Sequence, residues 1–76
     1  MDIKRIGVTM KLLRNSKCWT LEEEGQLLKI HRNTLAIYEE NPENMSLGLL
    51  NKFLDVHNIS RENFFKLVYD NSLTKQ

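Results

Sequence analysis

The sequence predicts an all-α fold, a compact domain of five short helices. Apolar residues recur at spacings of three and four and never alternate over the length of a strand. The one proline and three glycines are scattered over 76 residues, leaving room for helices between them. Thr20, Ser46 and Ser60 each stand just ahead of an apolar pattern, where a hydroxyl can cap a helix. A chain of this length forms one domain, residues 1–70, whose single core buries about two thirds of the unfolded surface. Residues 71–76 read as a frayed tail.

The first helix spans about 3–15. Ile3, Ile6, Met10 and Leu13 share one face, with Gly7 as a smooth spot, and Asn15, Ser16 and Lys17 end the helix. Trp19 sits where the residue before a cap folds back onto its helix, which makes it a core anchor. The second helix, about 21–29, opens with a reciprocal capping box. The Thr20 hydroxyl is placed to accept the Glu23 amide, and the Glu23 carboxylate to accept the Thr20 amide. Only about three residues separate this helix from the third, about 32–40, so the two must cross steeply. Gly25 leaves space at the crossing, while Leu28, Ile30, Leu35 and Tyr38 face a shared core.

Asn41 tolerates the left-handed backbone of a helix end, and Pro42 blocks continuation. After the loop 41–45, Ser46 caps a fourth helix, about 47–57, with Leu47, Leu50, Phe53 and Leu54 turned inward. Ser60 caps a fifth, about 61–70, carrying Phe64, Phe65, Leu67 and Val68.

Composition narrows the function. The formal net charge is only +1, but residues 1–17 carry Lys4, Arg5, Lys11, Arg14 and Lys17 against Asp2 alone. A basic end on a neutral chain can meet phosphate, with modest non-specific affinity. The single Cys18 leaves no internal disulfide and fits a reducing cytosol. No apolar run nears the roughly 18 residues of a membrane span, and no leader is evident, so the protein reads as complete and cytoplasmic. His31 and His57 have no Cys or carboxylate at ligand spacing, Glu22, Glu23 and Glu24 run consecutively around a helix, and no glycine-rich phosphate loop exists. No enzyme, metal or cofactor is expected.

The steep turn has the outline of a helix-turn-helix, and landmarks on either side extend the likeness. Ile6-Gly7 and Leu13-Arg14 stand where a first helix carries I-G and L-R. Thr20, Gly25, Leu28, Ile30, Thr34, Leu35, Tyr38 and Glu39 follow the pattern S-x-E-E-x-A-x-x-L-G-V-S-x-x-T-I-S-x-Y-E without a gap, and Ser46-Leu47, Ile59-Ser60 and Phe64-Phe65 match its later P-S-L, V-S and L-F landmarks. On these residues nearly the whole chain resembles the phage repressor and Cro-like helix-turn-helix family, also called the xenobiotic-response-element type.

The resemblance implies a lambda-repressor-like DNA-binding domain and a partly buried, bidentate ion pair between Arg14 and Glu39. The alternative for that pair is two surface charges worth at most about 1 kcal/mol. The resemblance also implies that the third helix enters the major groove by its N-terminal side chains. His31, Arg32, Asn33, Ala36 and Ile37 then face the bases: Arg32 suits guanine, Asn33 adenine, and Ala36 or Ile37 a thymine methyl. Thr20, Leu21, Thr34, Asn44 and Ser46 fall where helix starts and turn residues contact phosphate.

Some positions depart from what that family usually carries. Leu21 replaces a glutamine and so loses a side-chain phosphate contact, Glu24 replaces a core leucine, Lys29 the turn glycine, and Ile37 a polar groove residue. Either the second helix is rotated so that Leu21 and Leu28 supply the core, or Glu24 finds a partner, with His57 at another usually apolar position as one candidate; a surface location for both is the reading favoured by their side chains. The expected partners are duplex DNA and a second copy of the chain, through helix 61–70 and the tail with Phe65, Val68, Tyr69 and Leu73, unless these residues simply close the core. The rival expectation is a protein-interaction module, a repressor modulator or antitoxin-like partner of another regulator, with weak or no DNA binding.

Overall fold

Where each helix stops determines how the next one packs. The computed structural model describes the backbone of residues 2–74 and the side chains of residues 2–70. Five α-helices follow in order: α1 (Lys4–Ser16), α2 (Leu21–Leu28), α3 (Arg32–Glu40), α4 (Leu47–Val56) and α5 (Arg61–Thr74), with a 3-10 turn at Pro42–Asn44 between α3 and α4. No strand occurs among the described residues. α5 runs one turn past the expected end at Asp70, because neither proline nor glycine intervenes before Thr74. Lys75 and Gln76 of the expected frayed tail, and the side chain of Leu73, lie outside the described residues.

All five helices supply the core. Met10, Leu28, Leu35, Phe53 and Phe64 are fully buried, and Leu54 and Val68 nearly so. Each such side chain stabilises the fold by about 1.5–3 kcal/mol. α1 packs on α3 and α5, and α2 packs on α3 and α4. Phe53 and Phe64 meet edge to face at 6.1 Å, which joins α4 to α5. Val68 is thus a core residue and leaves the expected partner surface.

Two residues placed on the core by periodicity are not there. Ile3 precedes α1 and is half exposed, the start of α1 being held instead by the Asp2 carboxylate, which accepts the Lys4 amide at 3.0 Å. Leu47 is 83% exposed. It is the first residue of α4 and continues the Leu50–Leu54 stripe along the wall of a surface cleft shared with Arg61 and Phe65 of α5.

The ends of α1, α2 and α4 are closed in one way. Cys18, Lys29 and Asn58 take the left-handed conformation, with φ of 59°, 61° and 52°. Each is bracketed by two amide bonds back into its helix, one reaching three residues and one five: Cys18 N to Asn15 O with Trp19 N to Arg14 O, Lys29 N to Gln26 O with Ile30 N to Gly25 O, and Asn58 N to Asp55 O with Ile59 N to Leu54 O. This double closure satisfies carbonyls that a helix end leaves orphaned. Asn41, expected in that role, has φ −133° and ψ 72° instead. The ring of Pro42 keeps the residue before it out of helical space.

Candidate nucleic-acid interface

The α2–α3 crossing is built on Gly25. A Cβ there would sit 2.8 Å from the Ile30 carbonyl oxygen and 3.5 Å from the Arg32 amide, so any side chain would push the helices apart. Thr20 fixes the start of α2: its Oγ1 accepts the Glu23 amide at 3.1 Å, and Glu23 Oε1 accepts the Thr20 amide at 2.8 Å. Lys29 makes the turn in the left-handed region that the resemblance gives to glycine.

The start of α3 is capped by His31, whose Nδ1 accepts the Asn33 amide at 3.1 Å. The resemblance implies that His31 faces the bases. The cap leaves only Nε2 free for any such contact. Arg32, Asn33 and Ile37 project into solvent from the first turns of α3, Ile37 with 55% of its surface exposed. Thr34 and Ala36 are half-buried, and Ala36 turns toward α1. The remaining expected phosphate residues are dispersed around this helix. Thr20 and Ser46 use their hydroxyl oxygens as caps, Ser46 for the Leu49 amide at 3.0 Å, Asn44 is exposed in the 3-10 turn, and Leu21 packs its side chain against the core. What α2 offers at Leu21 is its backbone amide, since the first amides of a helix lack intrahelical partners.

Behind α3, Arg14 and Glu39 meet in a two-pronged contact, Nε to Oε2 at 2.8 Å and Nη2 to Oε1 at 3.2 Å. Arg14 Nη1 also donates to the Trp19 carbonyl at 2.9 Å, so one guanidinium joins α1, α3 and the loop before α2. Both side chains are at least nine-tenths buried, which excludes the surface-charge alternative. The hydrogen bond to Glu39 raises the Arg14 pKa above its usual value, against the opposing effect of burial and with the charges of Glu39 and Glu24 adding to the rise. The guanidinium therefore stays charged at any working pH. Gly7 lets α1 approach this closely, because a Cβ on it would run into the Glu39 carbonyl.

Glu24 and His57 reverse the expectation that they lie at the surface. Glu24 Oε1 and His57 Nε2 are 3.0 Å apart, with side-chain exposures of 0% and 1%. The imidazole lies against Phe53 at 4.3 Å and Trp19 at 5.2 Å, so Trp19, half-buried, packs on this pair. The signal in the sequence was the joint one: an acid and a base each replacing an apolar residue of the same family pattern. The pair fastens α2, and with it the crossing, to the end of α4.

Among the described residues no group of three or more His, Cys, Asp or Glu is arranged to hold a metal, and no helix is long and apolar enough to cross a membrane. In comparison with known proteins, no family model matches the chain and no curated protein matches it.

Proposed function

We propose that this chain is a small cytoplasmic transcriptional regulator of the phage repressor and Cro-like type, which reads duplex DNA with α3 in the major groove. The observation that carries the reading is the presentation of α3: Arg32, Asn33 and Ile37 point to solvent together from a helix held at its base by Gly25, the His31 cap and the Arg14–Glu39 pair. Arg32 offers two donors to guanine, Asn33 a donor and an acceptor to adenine, and Ile37 an apolar surface to a thymine methyl. The role is one of binding and involves no catalysis or cofactor.

The regulator acts as a two-fold dimer. α3 has 9 residues and is about 13 Å long, whereas half-sites one helical turn apart lie about 34 Å from centre to centre, so a second copy is needed to read two of them. Phe65, half-buried, and Tyr69, exposed, on α5 remain as partner-facing residues.

The experiment is a fluorescence-anisotropy titration of random and genomic duplexes at two salt concentrations. Binding that weakens with salt, and loses sequence preference in Arg32→Ala, supports the reading. No binding at low salt, or an Arg32→Ala variant that binds as wild type, overturns it and favours the second reading, a protein-interaction module. That reading draws on the exposure of Leu27 and Ile37 on α2 and α3, since apolar side chains open to solvent also suit a protein groove.

A further inference from the structure

We propose that the cleft between α1 and α3 holds the sugar–phosphate backbone of one DNA strand, with Lys4 and Lys11 as its phosphate contacts; this rests on the DNA-reading function proposed above. Lys4, Val8, Lys11 and Leu12 of α1 line this cleft together with Leu21 of α2 and Ala36 of α3. Leu21 marks the helix start nearest the expected phosphate path, and Ala36 belongs to the reading helix. A duplex seated on α3 therefore carries one strand over the cleft.

The two lysines are seven residues apart, two turns along the same face of α1 and about 10 Å along its axis. They address separate phosphates. Both are exposed, and neither is in an ion pair among the described residues. Between them Val8, Leu21 and Ala36, half-buried, and Leu12, half exposed, give an apolar stretch of lining beside Asn15 and the paired Arg14 and Glu39. Anionic groups alternating with apolar sugar faces suit cationic rims over an apolar floor, and the flexible lysine stems lie along such a floor while their ammonium groups reach outward.

The placement also answers the loss at Leu21. Its side chain has no donor, and Glu22 and Glu23 beside it repel phosphate, so cations from α1 take over the contact. Glu40, which also lines the cleft, works against them.

The test measures the salt dependence of binding for wild type, Lys4→Gln, Lys11→Gln, Glu40→Gln and, as a control on α5 outside the cleft, Lys66→Gln. Far-ultraviolet circular dichroism and thermal melting establish that each variant folds as wild type. Each cleft lysine removed lowers the slope of log K against log salt by about 1, a change of about fourfold in the affinity ratio between 50 and 200 mM salt, equally on genomic and random duplexes. Glu40→Gln tightens binding and Lys66→Gln leaves the slope unchanged. Unchanged slopes in both cleft lysine variants, or an equal loss in Lys66→Gln, overturn the inference while leaving an Arg32-dependent reading of DNA intact. Absence of salt-dependent binding by wild type overturns both.

Discussion

Glu24 of α2 and His57 at the end of α4 face each other at 3.0 Å with almost no solvent contact. Their outer atoms, Glu24 Oε2 and His57 Nδ1, have no hydrogen-bond partner among the described residues. A buried pair satisfied on one side only is costly to keep and costlier to halve.

Removing one member of this pair therefore does more damage than removing both. His57→Ala leaves Glu24 unpaired beside a cavity and is expected to cost about 3–5 kcal/mol in urea unfolding. The double variant Glu24→Leu/His57→Phe recovers that loss and matches or exceeds wild-type stability by about 1–4 kcal/mol. A double variant no more stable than His57→Ala contradicts this account of the pair.

Glycine positions give a contrast of sign. Gly7→Ala drives a methyl group into the Glu39 backbone and separates α1 from α3, at an expected cost of about 1–3 kcal/mol or more. Gly48→Ala meets only the Ser46 hydroxyl, at an ordinary van der Waals distance of 3.9 Å, and removes a flexible residue from α4. It is expected to stabilise by about 0.5–1 kcal/mol. Chemical unfolding of the two variants side by side checks both signs.

The left-handed turn between α2 and α3 is made by a residue with a Cβ, which costs about 1–2 kcal/mol. Lys29→Gly relieves that strain at some cost in chain entropy. The net expectation is a gain of about 1 kcal/mol, seen as a rise of about 4–8 °C in melting temperature. A lower melting temperature contradicts it.

Arg14→Met, which keeps length and removes charge, leaves the Glu39 carboxylate nearly buried and the Trp19 carbonyl without its donor. The expected loss is about 3–5 kcal/mol. Stability unchanged by the substitution would mean that the pair does nothing for the fold.

What the sequence made legible depended on how local each signal was. The capping box at Thr20 and the close approach at Gly25 involve neighbours within a few residues, so spacing alone identifies them. The Arg14–Glu39 contact spans 25 residues and was readable only through the family pattern. Glu24 and His57, 33 residues apart on different helices, each look like surface residues when judged singly. Periodicity put Leu47 on the right stripe but cannot say how far neighbouring helices extend to cover it. Cys18 and Lys29 are poor advertisements for left-handed backbone, whereas Asn41 advertised it and was overruled by Pro42. On α3, exposure of Arg32, Asn33 and Ile37 follows from helix phase, but the use of His31 Nδ1 as a cap depends on a ring orientation that no spacing encodes.

The most direct test of α3 as the reading helix is an amide chemical-shift map of ¹⁵N-labelled protein titrated with duplex DNA. The account predicts that the largest perturbations fall on residues 20–22 and 31–37, with smaller ones at 44–46 and along the outer face of α1, while α5 changes little beyond any effect of pairing. Perturbations confined to α4 and α5, or none at all at low salt, would contradict it.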